Sequence, residues 1–382
     1  MRNSAGRAAC SRKRENEMRI PVNTLPCLIA LLFASSGALP AQPPPAREAV
    51  FDYTNPLDFS YQYFDGKTSH TEKELRDPCI IREGDTYYLV FTMYPFRGRE
   101  ERHLEEVDMG SSPGIQMFST KDFKAWKTGN WLVKSSELPQ DCPYKHRFWA
   151  PEIHKVNGKF YVIFTADNWV DPKYNLDGKW GMYTYIGVAD SVTGLYEHIT
   201  RIPYGPCDTT LFCDSDGTFY VVMPKGEIYI QKLDLSGLEK GVIKRVGEEK
   251  RIVTKSNADI GVAVSTTYLE GPWLEHMGNK YVLFFAAPYP DRSPDPEYRG
   301  YWVGAACADQ IMGPYQKDPR GKVFFGGHIA VFDGPDGRKW FSYRWERDNR
   351  ARGLLCIDPM DLDKDGRIQA TDHLGEATVP MK

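Results

Sequence analysis

The sequence lacks the features that mark several large protein classes. Among its 382 residues no apolar run is long enough to cross a bilayer, and no helical periodicity lasts more than a few turns after the N-terminal region. It contains no HExxH, no CxxC pair and no phosphate-binding glycine loop, so those zinc sites and nucleotide hydrolysis are not indicated. With 48 Lys and Arg against 51 Asp and Glu, it also lacks the basic excess that nucleic-acid binding requires.

The chain instead repeats a strand-turn-strand unit five times. In the first copy Arg76-Asp77-Pro78 leads into an apolar strand, and Gly84-Asp85 turns the chain into a second strand of aromatic and β-branched residues. Such repetition predicts an all-β fold, a single-domain five-bladed β-propeller whose inner strands begin near one axis. Side chains at matching positions of the copies should therefore converge on one pocket. That position holds Asp77, Glu152, Asp208, Glu270 and His328.

The segments before the first repeat suggest export. Residues 18–38 combine a basic start, a short apolar run and small residues suited to cleavage after Ala38, so residues 1–38 are expected to be an N-terminal extension and signal peptide. A membrane anchor is the alternative. Residues 39–47 are expected to form a Pro-rich linker, and 48–382 the propeller catalytic domain. Residues 48–75 are a lead-in that could pack across the end of the propeller, line its pocket or supply the strand closing its ring, and packing is the favoured role. We expect a secreted or periplasmic protein.

Six cysteines follow residue 38, and export would permit them to pair. Most lie beside the repeated acidic residues or inside apolar strands, where a buried thiol behaves as a small apolar side chain. Most of them are therefore expected to remain thiols. They are Cys79, Cys142, Cys207, Cys213, Cys307 and Cys356.

Three of the acidic side chains suit the hydrolysis of a glycosidic bond. That reaction needs one protonated carboxyl group to assist the leaving oxygen and one ionised carboxylate. A like charge nearby and a partly dry pocket would keep Glu270 protonated, while Arg76 could hold Asp77 ionised; Asp208 is the third carboxylate. For any one of them, the alternative is a strand-end carboxylate that caps a turn.

The remaining candidates would bind the substrate. Trp149 could stack on a sugar face while Glu152 makes structural bonds, and His328 could be a core histidine, a substrate donor or a ligand to a central cation. Transfer of a sugar to phosphate would instead need a basic cluster, for which Arg76, Lys225 and Arg344 are available. Gly110-Ser111-Ser112-Pro113-Gly114 matches a nucleophile-elbow pattern but lacks the strand before it and the helix after it.

These motifs together resemble glycoside hydrolase family 43, whose members are secreted five-bladed propellers that cleave arabinose- or xylose-containing glycans with inversion. The likeness spans residues 76–357 and departs from the family pattern at Cys207 and Thr209. It implies that Asp77 is the general base, Glu270 the general acid and Asp208 the residue that orients the acid. In several members the histidine that matches His328 lies beside a central calcium ion, so the resemblance implies the same place for His328. The motifs are Arg76-Asp77-Pro78, Trp149-Ala150-Pro151-Glu152-Ile153, Cys207-Asp208, Leu269-Glu270-Gly271-Pro272 and Gly327-His328.

The sequence thus predicts an inverting glycoside hydrolase that removes arabinofuranosyl, xylosyl or galactosyl units from plant or algal polysaccharide. Its catalytic residues would be Asp77, Asp208 and Glu270. Substrate-binding residues would be Arg76, Trp149, Glu152, His328 and Arg344. No cofactor is required, although a structural calcium ion at His328 is an option. The partner is an oligo- or polysaccharide, not nucleic acid or membrane, and we expect a monomer. A glycoside phosphorylase or transferase and a non-catalytic carbohydrate-binding propeller are the alternatives.

Overall fold

Nearly all regular structure in the protein is β-strand. The predicted extension, signal peptide and linker lie outside the described residues, which belong to one compact unit, Glu48–Lys382. None of the described segments forms a helix with the length and apolar character needed to span a membrane. The computed structural model describes residues 49–64, 69–93, 112–168, 171–174, 182–260, 266–288, 300–346, 353–363, 367–370 and 373–381.

The chain begins with three short strands and continues into five antiparallel sheets, each built from one continuous stretch of sequence. The lead-in holds β1 (Val50–Asn55), β2 (Tyr61–Phe64) and β3 (Ser69–Glu72). Blade I holds β4 (Arg76–Glu83), β5 (Thr86–Thr92), β6 (Gly114–Thr120) and β7 (Lys127–Lys134). Blade II holds β8 (His146–Val156), β9 (Lys159–Asp167), β10 (Tyr183–Ala189) and β11 (Glu197–Arg201).

The other three blades repeat this pattern, and blade IV carries one extra strand. Blade III holds β12 (Thr210–Cys213), β13 (Phe219–Pro224), β14 (Ile228–Asp234) and β15 (Lys244–Val253). Blade IV holds β16 (Glu270–Met277), β17 (Lys280–Pro288), β18 (Tyr301–Ala308), β19 (Gln316–Lys317) and β20 (Phe324–Phe325). Blade V holds β21 (Gly327–Asp333), β22 (Lys339–Trp345), β23 (Leu354–Leu362) and β24 (Ile368–Ala370), and β25 (Gly375–Pro380) follows it. Short 3₁₀ turns lie at Ser135–Glu137, Pro172–Tyr174, Leu238–Lys240 and Ala258–Ile260.

The five blades form a ring around an axis. The inner strands β4, β8, β12, β16 and β21 each contact the inner strands of the two neighbouring blades, with β21 meeting β4 to close the circle. Hairpin turns place these strands as the sequence predicts: Asn157 and Gly158 both have positive φ, 50° and 81°, in the two-residue turn between β8 and β9. The predicted five-bladed β-propeller is confirmed.

A β-bulge near the start of the inner strands corrects one detail of the sequence alignment. The strand register shifts between Arg76 and Cys79, and the corresponding shift recurs in blades II, IV and V. One residue of each shift has left-handed backbone, and Asp208 has it directly before β12. Glu270 therefore precedes the shared position by one residue and Glu152 follows it by two. The residues that share the position are Asp77, Ala150, Asp208, Gly271 and His328, with φ between 43° and 61°.

The prediction that the same position holds Glu152 and Glu270 was therefore wrong. A bulge adds a residue to one strand without changing its partner, so alternation along the sequence does not reveal it. Gly271 shows why this position is constrained: a Cβ there would lie 2.9 Å from Nδ1 of His328, and its φ is 51°. The proline after the bulge residue, at Pro78, Pro151 and Pro272, is the signal that aligns three of the blades.

The lead-in does not supply a blade strand. Each blade is completed by its own segment, and β1 pairs with β25 in a separate two-stranded sheet. The lead-in packs over the seam between blades I and V, where Phe59 and Tyr61 join an apolar cluster with Leu89 and Trp340. Of the roles expected for residues 48–75, packing against the propeller is the one that the structure shows.

Candidate active site

The predicted polar residues converge where the inner strands begin, grouped around His328. Its imidazole Nδ1 lies 3.4 Å from Oδ1 of Asp77 and 4.0 Å from Oδ2 of Asp208, while Nε2 lies 3.8 Å from Oε1 of Glu152. The bulges explain this convergence, because left-handed backbone at Asp77, Asp208 and His328 lets three different blades present a polar side chain at the same level. Four residues that are far apart in sequence thus form one buried cluster.

Asp77 is a buried carboxylate surrounded by cations and donors. The Thr92 hydroxyl donates to Oδ2 at 2.6 Å, Nη1 of Arg344 donates to Oδ1 at 2.9 Å, and Nε of Arg76 lies 3.9 Å away. Burial alone would raise the pKa of Asp77, but the charges of His328, Arg76 and Arg344 outweigh it and lower the pKa to about 2. This carboxyl group is therefore ionised at any pH at which the fold is expected to work.

Glu270 has the opposite electrostatic environment. It is the first residue of β16 and is partly exposed. Burial and the neighbouring charge of Asp208 raise its pKa to about 7, although Arg76, Arg344 and a hydrogen bond with Tyr301 oppose the rise. A carboxyl group with this pKa is protonated in weakly acidic solution and can act as a general acid.

The surroundings of Asp208 combine features of those of Asp77 and Glu270. Its backbone N–H donates to the Thr165 hydroxyl oxygen at 3.2 Å, and the Cys207 thiol donates to its Oδ1 at 3.1 Å. Burial and the charge of Asp77 raise its pKa, while His328 and the thiol hydrogen bond counteract the rise. The side chain is 14% exposed, so it faces the same opening as Glu270 while remaining largely shielded from water.

His328 is held as a cation. Burial would lower the pKa of its imidazole, but Asp77, Glu152 and Asp208 raise it to about 9. A protonated ring donates from both nitrogens and has no lone pair for a metal. Among the described residues no three His, Cys, Asp or Glu side chains are arranged to hold an ion. The predicted role of His328 beside a calcium ion stays a prediction.

The other predicted substrate-binding residues differ in their exposure to solvent. Glu152 is 2% exposed and lies below the opening, where it accepts a hydrogen bond from the Thr210 hydroxyl at 2.7 Å and lies 2.8 Å from Nε2 of His154. These contacts are the structural bonds expected of it. Trp149 is partly exposed, and the Arg76 guanidinium lies 5.4 Å from the centre of its ring. This pair forms part of the wall nearer to solvent.

Arg344 lies deeper than a substrate ligand was expected to. It is 1% exposed, contacts Asp77 and Glu346, and lies over the Tyr301 ring at 4.8 Å. Its main contact is thus with the candidate base. The substrate-binding roles assigned to Arg76, Trp149, Glu152, His328 and Arg344 stay predictions.

Two threonines at the site were missed by the sequence reasoning. Thr92 and Thr165 lie at matching places in β5 and β9, and each hydroxyl accepts the backbone N–H of the positive-φ residue in the next blade: Ala150 at 2.7 Å and Asp208 at 3.2 Å. Because the Thr92 oxygen accepts from Ala150, its hydrogen is available to Asp77. The signal was present in the repeated Val-Phe-Thr and Ile-Phe-Thr that close β5 and the matching part of β9.

Tyr301 was also missed. It is the first residue of β18 and lies outside the repeated motifs, so nothing in its local sequence connects it with Glu270. Its hydroxyl lies 3.0 Å from that of Tyr268, and burial together with the charge of Glu270 raises its pKa. A neutral phenol beside Glu270 supplies a hydrogen bond without adding charge to the site.

The described cysteines form no disulfide. Cys79, Cys142 and Cys356 are buried, as expected for thiols that pack as apolar side chains. Ser112, from the nucleophile-elbow pattern, donates instead to the carbonyl of Met93 at 3.3 Å, and a strand rather than a helix follows it.

Known proteins share this architecture and these motifs. The family model described as glycosyl hydrolases family 43 matches residues 71–368. A "Xylosidase/arabinosidase" of Butyrivibrio fibrisolvens is 29% identical over 226 residues, which is 55% of this chain and 36% of that protein. An "Extracellular endo-alpha-(1->5)-L-arabinanase 1" of Bacillus subtilis (strain 168) is 24% identical over 276 residues, 68% of this chain and 72% of that protein.

A solved structure agrees with the fold. The crystal structure of the GH43 protein of Bacillus licheniformis superposes with a TM-score of 0.61 at 20% identity, covering 87% of this chain and 59% of that chain. The chain spans about two fifths of the length of three of the xylosidases that it matches, from 36% to 42%. Since the family model covers well over half of the sequence, the chain belongs to glycosyl hydrolases family 43.

Proposed function

We propose that this protein hydrolyses glycosidic bonds of arabinofuranosyl or xylosyl units in plant polysaccharide, with inversion at the anomeric carbon. One arrangement carries the proposal: Asp77 and Glu270 lie beside the same two cations, Arg76 and Arg344, and their surroundings move the two pKa values in opposite directions, to about 2 at Asp77 and about 7 at Glu270. Between these values one group is ionised and the other protonated. That is the state that an acid and base pair must have before the bond breaks.

The proposed reaction is a single displacement. Asp77 removes a proton from water as the oxygen attacks the anomeric carbon, and Glu270 gives its proton to the departing glycosidic oxygen. Asp77 is then protonated and Glu270 ionised, and exchange with solvent restores both. Inversion requires room for the water, with the two carboxyl groups about 6.5–9.5 Å apart. No cofactor enters the reaction.

The surroundings of the pair support these roles. Arg344 and His328 stabilise the ionised form of Asp77, and Asp208 raises the pKa of Glu270. Trp149 offers an aromatic face at the level where a sugar ring would enter, and such faces stack on the apolar side of a sugar. The partly exposed guanidinium of Arg76 could donate to sugar hydroxyls from the same wall.

The alternative of transfer to phosphate is less well supported. Of the three basic residues considered for it, Lys225 forms an ion pair with Glu249 at 2.5 Å, and Arg344 is buried between Asp77 and Glu346. A phosphate would have to displace one of these partners. Water is therefore the acceptor that the described residues favour.

The names of the relatives guide the choice of sugar and location. One is a xylosidase/arabinosidase and another an extracellular arabinanase, so pentosides are favoured over galactosides. The extracellular relative also supports export by way of the predicted signal peptide, residues 18–38. We therefore propose a secreted or periplasmic enzyme.

A panel of aryl glycosides tests this function. Purified protein is assayed with α-L-arabinofuranoside, β-D-xyloside and both anomers of D-galactoside, with the Asp77→Asn variant as the blank. We expect release from a pentoside, with proton NMR showing that the first product has the inverted anomeric configuration. Silence on all four substrates and on arabinan and xylan, together with binding on a glycan array, would replace the hydrolase by a carbohydrate-binding propeller.

The pH dependence of kcat/KM should report the two carboxyl groups. Activity requires protonated Glu270, so it should fall as pH rises through about 7; it requires ionised Asp77, so it should persist far into acid and fail only toward pH of about 2 or where the fold is lost. The measurement is the initial rate at constant ionic strength from about pH 3 to about pH 9. Activity that keeps rising above pH 8, an approximate upper bound, would remove Glu270 as the acid.

A further inference from the structure

Cys207 makes a polar contact that an aliphatic residue could not make. Its thiol donates to Oδ1 of Asp208 at 3.1 Å and is partly exposed toward the site. Burial and the adjacent charges of Asp208 and Glu270 raise the thiol pKa well above its ordinary value. The sulfur therefore keeps its hydrogen, so the contact is a weak S–H donor meeting a carboxylate acceptor.

The charge of Asp208 acts on the protonation of Glu270. After burial, it is the largest cause of the raised pKa of Glu270. An ionised carboxylate near a second carboxyl group favours the protonated form of that second group. A donor directed at Asp208 favours the ionised form of Asp208 and so leaves the proton on Glu270.

We propose that Cys207 is a positioning residue: by donating its S–H to Asp208, it favours the ionised form of Asp208 and so keeps the proton on Glu270. This inference rests on the proposed function. Groups from other blades also act on the pKa of Asp208, and the hydrogen bond from Cys207 adds to their effect. They are His328, Asp77 and Arg76, with Glu270 opposite and the Thr165 hydroxyl on the backbone N–H.

The proposal differs measurably from a packing role. If Cys207 only filled space, its replacement would change all substrates alike through a general distortion. If it directs the proton, its replacement weakens only the general acid. A substrate with a poor leaving group needs that acid, whereas one with a very good leaving group hardly does.

The test compares Cys207→Val, Cys207→Ala and Cys207→Ser over a series of aryl pentosides with graded leaving groups and over a natural oligosaccharide. Val and Ala both remove the donor. Val is larger than Cys and Ala is smaller, so one variant still provides the measurement if the other fails to fold. Ser keeps a donor. The matched control is Cys213→Val, the same change in β12, where the thiol contacts only a backbone carbonyl at 3.5 Å.

We expect the donor-free variants to lose about three- to tenfold in kcat on the oligosaccharide and less than about twofold on the best leaving group. Their basic pH limb should move to lower pH, because Asp208 then holds the proton more often and Glu270 ionises sooner. Cys207→Ser should restore both readouts, and Cys213→Val should change neither.

Equal losses on all leaving groups, or no change in the basic limb, would overturn the role of Cys207. The Glu270→Gln variant, assayed in parallel, separates this from a failure of the proposed function. If the loss of kcat in Glu270→Gln depends on the leaving group and the loss of kcat in Cys207→Val does not, only the inference about Cys207 fails. If Glu270→Gln itself shows no such dependence, the acid assignment fails with it.

Discussion

Replacing Asp77 with Asn is expected to lower kcat by about 10³-fold on every glycoside that the enzyme accepts. Asn keeps the shape of the side chain but cannot take a proton from water. The loss should not depend on the leaving group, because water must be activated whichever bond breaks. Single-turnover and steady-state rates on an aryl pentoside and on its natural oligosaccharide measure this directly.

The change also removes the negative charge that faces Arg344 and His328. Thermal unfolding of the variant must therefore be followed beside its activity, so that lost structure is not taken for lost chemistry. Asp85→Asn is the matched control: it makes the same chemical change in the same blade, at an exposed side chain paired with Lys121. A folded Asp77→Asn protein that keeps more than about a tenth of wild-type activity would exclude Asp77 as the base.

Glu270→Gln should produce a graded loss. On natural glycans kcat should fall by about 10³-fold, since an amide cannot protonate the sugar alkoxide that leaves. On a substrate with a very good leaving group the loss should be less than about tenfold, because the leaving oxygen needs no proton. The basic limb of the pH profile should disappear from the remaining activity.

The control for this variant is Glu239→Gln, an exposed glutamate in a 3₁₀ turn of blade III, which should behave as wild type. A plot of log kcat against leaving-group pKa is the deciding measurement. A parallel downward shift with unchanged slope would show that Glu270 supports the site in another way. The contrast between a uniform loss at Asp77 and a graded loss at Glu270 is what separates base from acid.

The fold and the two principal carboxylates could be predicted because they leave a repeated local pattern. Five strand-turn-strand units with turn residues such as Asn157-Gly158 predict five hairpins. Repeated units of this kind are typical of propeller blades arranged in a ring. The bulge was hidden, because an extra residue in one strand changes the spacing without changing composition. It displaced Glu152 and Glu270 from the position assigned to them.

Contacts between blades were the part that sequence could not supply. Thr92 serves Asp77 in its own blade and Ala150 in the next, and that double contact exists only once the two blades are side by side. Likewise His328 had three possible roles from sequence. Only the distances to Asp77, Glu152 and Asp208 show that it is enclosed by negative charge.

The pairing of β1 with β25 has a consequence for the topology of the chain. Ala49 and Met381 are joined by a backbone hydrogen bond of 2.7 Å, and among the described strands each blade is built from one continuous stretch of sequence. The blades follow one another around the ring in their order along the polypeptide, so the chain can be opened between two neighbouring blades without dividing a sheet. A circular permutant in which a short linker joins these two residues and the chain opens between blades II and III would retain all five sheets, and with them the site to which all five blades contribute.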